Sequence, residues 1–520
     1  MMLVMMKQQK LLRNLVLIFR PKPEEFEMYK ILARMASFLL VSLVIIAPQL
    51  CHANVQDSIV KIFTMAKKYN YDTPWQVSGY EQWTGSGCIV SGNRILTNAH
   101  VVSNSAYIEV QRNGVQGKLK AEVLAISHEA DLALLSVAEP AFFEGVEPVE
   151  IGGLPELLDD VTVYGYPEGG DGLSVTRGVV SRIEVTNYTH SWLSFLALQI
   201  DAAINSGNSG GPVIRDGKII GVAMQSMLDA ENIGYIIPTP IIEHFLTDLQ
   251  DGVYNGFPSD GVIIQSLENT SLRKSTGLPI NETGIYINQI IPGASADKLL
   301  HVGDVIMEID GHPIANDGSV LLRTGLRVDS DHYVVTHQVG EKARYTIWRE
   351  GDKQEIEVPL TSRGIEDNLI IHPEYDVAPE YYILGGLVLM PLSFNYLFTW
   401  GDEWFTNAPT SLLKVVLQDK KVANEQAVII GGVLTSKVNA GYEDILHSRV
   451  VKINGQSFAG LLELASRLES LLAKRDLITL EMENHSIIVV SPKEHLESEA
   501  GLLEIYGISK PKNVVGAALL

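Results

Sequence analysis

The sequence predicts a mainly β protein: a barrel or sandwich of short strands over about 57–255, followed by two smaller units. Three observations carry that reading. Short apolar runs alternate with Gly, Asn and Asp turns through the first half, as in Gly87-Cys88-Ile89-Val90, Ser91-Gly92-Asn93 and Ile95-Leu96-Thr97, which is the rhythm of a barrel or sandwich. A second unit over about 258–363 has a weaker echo, in which Val450-Val451-Lys452-Ile453-Asn454-Gly455 matches 306–311, so a diverged copy is expected over about 381–500. Finally, the 520 residues are 46% apolar and 20% charged. That is ordinary globular usage, which excludes collagenous, coiled-coil and wholly disordered chains, and a prior of about 150 residues per domain gives three or four domains.

Taken in order, the N-terminus stands apart. Its first 53 residues carry seven Lys/Arg and three Glu, and 35–51 is an uncharged run broken by Pro48 and followed by His52-Ala53. A basic flank, a short apolar stretch and a small-x-small end describe a secretory signal peptide cleaved after Ala53, which places the mature chain in a periplasm or outside the cell. The alternative is a membrane anchor over 35–51, although the run falls short of the roughly 18 residues a spanning helix needs. Met28, followed by Lys30 and Arg34, offers a more usual start. Cleavage removes Cys51 and leaves Cys88 as the single cysteine, so a disulfide framework or a cysteine-built zinc site is excluded. The balance of 40 basic against 62 acidic residues, a net charge of −22, disfavours nucleic acid and anionic lipid as partners.

Further strands are expected at 161–166, 178–181, 198–200 and 218–222, and Pro238-Thr239-Pro240 opens a helix over 241–249 because Pro suits a helix start. The expected boundaries are 54–256 for the first domain, 257–363 for the second, 364–380 for a linker containing His372-Pro373 and Ala378-Pro379, 381–505 for the third and 506–520 for a tail. The apolar run 383–392 of the third domain is expected to meet protein rather than water, as a further contact in assembly.

The strongest chemical signal is Asn205-Ser206-Gly207-Asn208-Ser209-Gly210-Gly211-Pro212. A nucleophilic serine needs a tight turn that presents its Oγ, with backbone N–H groups aimed at the developing oxyanion. Glycines on both sides of Ser209 allow that turn, with the Gly207-Asn208-Ser209 stretch as the oxyanion hole. By itself the stretch is equally compatible with an ordinary loop. Company decides the matter, since the serine needs a base and the base needs a carboxylate. His100 sits at a strand end in Leu96-Thr97-Asn98-Ala99-His100, and Asp131 immediately precedes the buried-type strand Leu132-Ala133-Leu134-Leu135. The order His, Asp, Ser fits one compact double barrel. His128, the rival base, reads as a solvated loop histidine.

These motifs, with Gly178-Val179-Val180-Ser181, the run from Gln199 through Asp201-Ala202-Ala203-Ile204 to Pro212, and Asn232-Ile233-Gly234-Tyr235, resemble the Deg/HtrA serine proteases. The tail resembles the branch of plant Deg proteases with a divergent second PDZ domain. The resemblance implies a chymotrypsin-like double β-barrel followed by two PDZ-like α+β domains, with His100, Asp131 and Ser209 as triad. It also implies an ATP-independent serine endopeptidase that degrades misfolded or unfolded polypeptides, assembled as a homo-oligomer (trimer or hexamer), with no cofactor. The alternatives are a latent protease acting as chaperone or scaffold, and a signalling protease with one substrate.

In the double-barrel plan the specificity pocket is walled by Ala203-Ile204-Asn205 and Ala223-Met224-Gln225. None is charged, so a small or medium apolar residue is expected before the scissile bond. The PDZ resemblance implies capture of protein C-termini at Ser259-Asp260-Gly261-Val262, where Asp260 is an unexpected acid beside the carboxylate site. In the third domain Gly385-Gly386-Leu387-Val388 corresponds to it. Glu168-Gly169-Gly170-Asp171-Gly172 lacks the Lys-Ser/Thr of a phosphate loop and reads as a turn. No histidine pair has metal-ligand spacing beside an acid, so no metal is expected. The aromatic-rich loop 67–83 is expected to serve packing, an oligomer contact or gating.

Overall fold

A computed structural model of the chain describes residues 55–167, 170–226, 233–362 and 369–515. The leader expected at 1–53 lies outside them. Strands β1 (Ile59–Tyr69), β2 (Val77–Val90), β3 (Arg94–Thr97), β4 (Ser105–Arg112), β5 (Leu119–Ser127) and β6 (Leu132–Val137) close in the order β1-β2-β3-β6-β5-β4. A second barrel follows from β7 (Asp160–Gly165), β8 (Ser174–Asn187), β9 (Ser194–Ile200), β10 (Pro212–Arg215), β11 (Lys218–Ser226) and β12 (Gly234–Pro238), in the order β10-β11-β12-β9-β8-β7. Closure removes sheet edges, so each strand can bury apolar side chains without exposing a ladder. Ile95, Leu96 and 132–135 are fully buried where β3 meets β6. Helix α1 (Thr239–Asp248) leaves the second barrel with Pro in its first turn, as the sequence predicts.

The second domain is a sheet of β13 (Val262–Gln265), β14 (Ile285–Ile290), β15 (Val305–Ile309), β16 (Lys342–Arg349) and β17 (Asp352–Pro359), paired in that order, with the short helix α2 (Asp331–Val335) beside it. Its core is continuous with that of the second barrel, through residues such as Phe257, Ile285 and Tyr345. Arg323 donates to the Pro155 carbonyl at 2.6 Å and Gln338 to the His244 carbonyl at 3.4 Å, pinning this domain to the barrels. Within it, Arg349 donates twice to Asp304, which is 2% exposed.

The third domain contains β18 (Tyr381–Leu384), β19 (Leu387–Pro391), β20 (Val428–Val433), β21 (Val450–Ile453), α3 (Leu461–Lys474), β22 (Ile478–Met482), β23 (Ile487–Val490), α4 (Pro492–Ile505) and β24 (Lys512–Asn513). Two expectations are corrected here. Gly385-Gly386 is a two-residue hairpin turn between β18 and β19, with φ of 58° and 90°, values that suit a type I′ turn and glycine. The Gly385 N–H donates to His495 Nδ1 on α4 at 3.2 Å, so the turn is covered from within and has no open carboxylate loop. The apolar run 383–392 is not an exposed surface, because β18 and β19 are buried throughout in their own domain. The free side of β18 pairs with β24, the chain's own C-terminal strand.

The aromatic loop between β1 and β2 also meets this domain. Tyr71 and Trp75 pack against its core, with Trp75 edge-on to Tyr381 at 6.0 Å. The segment 369–380 is no free tether either: Leu369 and Ile370 are buried in the same cluster, and the Ile371 N–H donates to the Leu392 carbonyl at 3.3 Å.

Removing one partner of a buried ion pair strands the other charge, at a cost of about 3 kcal/mol or more. Arg349→Ala should therefore lower the free energy of unfolding by about that amount, seen as a lower denaturant midpoint followed through the nearby Trp348 fluorescence. An unchanged midpoint would show that Asp304 is satisfied without Arg349.

Candidate active site

The two barrels meet along a seam that brings together the residues the sequence singles out. His100 lies on one helical turn, Ala99–Val102, directly after β3. Asp131 sits just before β6 in the left-handed region at φ 54°, a conformation Asp and Asn tolerate better than other side chains. The Asn98 side-chain amide donates to the Asp131 carbonyl at 2.8 Å and fixes that corner. The Asp131 carboxylate, 1% exposed, then accepts two bonds from the same residue: the His100 backbone N–H at 2.8 Å and the ring Nδ1 at 2.7 Å. This arrangement assigns the proton to Nδ1 and leaves Nε2 as the acceptor.

Burial by itself favours neutral His100, but the charge of Asp131 and its hydrogen bond outweigh that, and the His100 pKa stands above 6.5. Burial alone raises Asp131 in turn, and the charge and hydrogen bonds of His100 bring it below the usual carboxylate value.

Ser209 lies at the start of the turn into β10. Asn205–Asn208 form a β-turn closed by the Asn208 N–H to the Asn205 carbonyl at 2.9 Å, with Gly207 at φ 91°. Positive φ at the third position marks a type II turn, in which the central peptide carrying the Gly207 N–H is flipped relative to a type I turn. Neither the Gly207 N–H nor that of Ser209 has a protein acceptor among the described residues. Asn208 is different from the expectation: its N–H is spent on closing the turn, and its side chain is buried behind it. Gly210 holds φ 83°, and a Cβ there would run into the Ser86 carbonyl and Thr97 Oγ1. That close approach locks the serine turn to the first barrel, where the Ser86 N–H donates to the Ser209 carbonyl at 2.8 Å. The Ser209 hydroxyl donates to the Met224 carbonyl at 3.1 Å and makes no hydrogen bond to His100.

Beside the serine, Ile204 and Met224 are buried, as are Ala223 and Gly234, while Asn205 is exposed. A Cβ on Gly234 would lie 2.6 Å from Ile204 Cδ1, so Ile204 fills the space a larger residue would need. The side chain of Gln225 and residue Asn232 lie outside the described set.

In the second domain, Ser259–Val262 face a cavity of about 550 Å³ that also reaches Val334, His128 and Tyr375. Asp260 is turned inward: one carboxylate oxygen accepts from the Tyr345 hydroxyl at 2.6 Å, the other from the Val262 N–H at 3.0 Å. The Gly261 N–H donates to Ser259 Oγ at 3.1 Å. Both loop N–H groups expected to hold a chain terminus thus already have partners.

His128 is not the solvated histidine the sequence suggests. Its Nδ1 meets His190 Nε2 at 3.0 Å and its Nε2 meets the Asp376 carboxylate at 2.8 Å. Burial pushes His190 down to about 3, although Asp131 nearby opposes that shift, so its ring is neutral beside His100, 6.1 Å away. No local pattern singled out His190, Tyr375 or Asp376. Of the glycine-rich stretch at 168–172, Glu168 and Gly169 lie outside the described residues, and Lys61 reaches the Gly170 carbonyl at 3.3 Å and Asp171 at 3.2 Å.

Two closed six-stranded barrels with a histidine–aspartate pair and a serine turn at their seam define the class of the trypsin-like peptidases, and the trypsin-like peptidase domain family matches residues 85–222. PDZ domain families match 259–318 and 370–513. In Arabidopsis thaliana, the putative mitochondrial protease Do-like 3 is 40% identical, over 84% of this chain and 76% of its own length. The mitochondrial protease Do-like 4 of the same plant is 37% identical, over 87% and 84%. The chain belongs to the Do-like, or Deg/HtrA, protease family. Among solved structures, the HtrA-type protease AlgW with tripeptide is 25% identical, with a TM-score of 0.48 over 61% of this chain and 98% of that one.

The raised pKa of His100 has a readable consequence. Histidine-selective NMR should give it a pKa above 6.5, and Asp131→Ala should bring it down, because burial then acts unopposed. A value unaffected by that substitution would mean the pair is not electrostatically coupled.

Proposed function

We propose that the chain is an ATP-independent serine endopeptidase that cleaves unfolded or misfolded polypeptides. The observation that carries this reading is the two-point grip of Asp131 on His100 beside a serine turn with two uncommitted N–H groups. In this mechanism His100 Nε2 takes the proton from Ser209 Oγ as the hydroxyl attacks the scissile carbonyl, and Asp131 stabilises the imidazolium that forms. The N–H groups of Gly207 and Ser209 receive the developing oxyanion, a contribution of about 3 kcal/mol per donor in comparable sites. His100 then returns the proton to the leaving amine, and a water repeats the sequence to release the acyl group.

Ser209 Oγ must first exchange its bond to the Met224 carbonyl for one to His100. Its present bond favours the second reading, a latent enzyme that is switched on. Buried Ile204 and uncharged Ala203, Ala223 and Met224 support cleavage after small or medium apolar residues.

The second domain is proposed to bind polypeptide, with Asp260 and Ser259 released when a terminal carboxylate takes their N–H groups. Assembly into trimers or hexamers is part of the proposal, and Tyr80, 61% exposed on β2, is available for it, whereas 383–392 is not. Residues 1–53 are proposed as a targeting leader. Secretion is one destination. An organelle is the other, supported by the mitochondrial and chloroplastic names of the relatives.

Ser209→Ala and His100→Ala should each abolish casein digestion, and Asp131→Asn should cost about 10⁴ in rate through the wrong imidazole tautomer. Asparagine suits the left-handed backbone at 131, so that variant should melt close to wild type. Casein cleavage retained in Ser209→Ala would refute the reading.

Mass spectrometry of the casein products should place most cuts after Val, Ala, Ile or Leu. A majority after Lys, Arg or Asp would refute the pocket assignment.

A further inference from the structure

Asp131 is the last residue of the short turn 128–131 that joins β5 to β6, and Ser127 and Leu132, on either side of it, pair across the two strands. Because Asp131 leaves that turn in the left-handed region, the aim of its carboxylate follows from how the turn is held. From within, the Ala130 N–H donates to Ser127 Oγ at 3.2 Å, a side chain standing where a carbonyl stands in an ordinary turn. Ser127 and Ala130 are both fully buried.

On another side the turn meets the chain that follows α1. The Tyr254 hydroxyl lies 2.5 Å from Ser127 Oγ and 3.1 Å from Glu129 Oε2, and the same carboxylate oxygen accepts the Phe257 N–H at 3.1 Å. Each hydroxyl has one proton to give and a carboxylate only accepts. The arrangement that uses every group therefore runs one way: Ala130 N–H to Ser127 Oγ, Ser127 O–H to Tyr254 Oη, and Tyr254 O–H to Glu129. Burial and the charge of Glu129 push the Tyr254 pKa well above 10, so the phenol keeps that proton.

The far end of this chain is firmly anchored. Asp248, at the end of α1, accepts the Asn255 and Gly256 N–H groups at 2.7 and 3.0 Å. Phe257 is fully buried, its ring stacked on His244 at 4.0 Å and edge-on to Phe195 at 4.8 Å. Gly256 has a φ of 87°, and a Cβ there would lie 2.6 Å from Glu129 Oε2, so the lack of a side chain is what admits the carboxylate.

We propose that Glu129 is a positioning residue for catalysis, which through Tyr254 and Ser127 fixes the β5–β6 turn and so aims the Asp131 carboxylate at the two N–H groups of His100. The inference rests on the serine-peptidase reading and adds a residue to its machinery. Asp131 grips His100 with bonds of 2.7 and 2.8 Å, which a small shift of the turn would lengthen. Glu129 is two residues away, close enough for its anchor to set that shift.

The test compares the full chain with Glu129→Ala, Glu129→Gln and Tyr254→Phe. Glutamine keeps an acceptor oxygen without the charge, and phenylalanine keeps the ring that stands edge-on to Phe245 at 5.7 Å. Two quantities are followed: the rate at which a fluorophosphonate labels Ser209, and the downfield proton NMR signal of the His100 Nδ1–H. Glu129 also borders the second-domain cavity, and a small probe separates its effect on the base from any effect on polypeptide binding. Misplacing a catalytic group by about 1 Å can cost about 10² in rate, so Glu129→Ala and Tyr254→Phe should label about tenfold slower or more. Their Nδ1–H signal should shift and lose protection, and Glu129→Gln should restore both quantities to near wild type. Unchanged labelling in the alanine and phenylalanine variants, or slower labelling with the wild-type Nδ1–H signal, would overturn the assignment. A glutamine variant as slow as the alanine one would overturn it too, because charge and not the hydrogen-bond chain would then be acting. Absence of labelling in every chain, wild type included, would instead overturn the serine-peptidase reading on which the assignment depends.

Discussion

The grip of Asp131 on His100 is the interaction on which the rest of the structure depends. A carboxylate this buried is tolerable only when its oxygens are satisfied, and here one oxygen takes a backbone N–H and the other a ring N–H of the same residue. The first bond fixes where the helical turn 99–102 leaves β3, and the second fixes the tautomer. Asn98 holds the Asp131 backbone in the unusual conformation that allows both. Barrel closure supplies the rigidity: β3 and β6 run side by side, so His100 and Asp131 leave adjacent strands at the same end.

The serine arrives from the other barrel, and glycines set how closely it approaches. Gly210 and Gly211 sit where a side chain would collide with the Ser86 and Tyr164 carbonyls. Ser86 is the hub of that junction. Its N–H bonds the Ser209 carbonyl, its hydroxyl donates to the Gly207 carbonyl at 2.7 Å, and the same oxygen accepts the Tyr166 N–H at 2.8 Å. The Gly207 carbonyl is thereby held on the first barrel, in a type II turn whose Gly207 N–H, like that of Ser209, has no protein acceptor among the described residues.

Much of this was legible in the sequence because its signals are local. A histidine at a strand end, an acid before an apolar strand and a serine between glycines each declare themselves within a few residues. The barrel strands and the helix opened by Pro240 follow from short-range pattern and turn chemistry. What escaped the sequence depends on partners far along the chain. Asp376 meets His128 across 248 residues and Asn104 across 272, and nothing around those positions distinguishes them from ordinary loop residues. Asp260 read as an acid facing a carboxylate because its buried partner, Tyr345, lies 85 residues away. Gly385-Gly386 was read as a binding loop because glycine pairs serve tight hairpins and anion loops alike. The apolar run 383–392 carried no mark to say which protein surface covers it, and its own domain does.

The central claim is that Asp131 holds His100 poised as the base for Ser209. The most direct test is the downfield proton NMR signal of the His100 Nδ1–H, recorded before and after Ser209 is phosphonylated. The account predicts a protected signal that disappears in Asp131→Ala and moves when Ser209 Oγ becomes the phosphonate ester, because the hydroxyl that the imidazole serves as base is then replaced by an ester oxygen. A signal untouched by the Asp131 substitution, or indifferent to modification of Ser209, would contradict it.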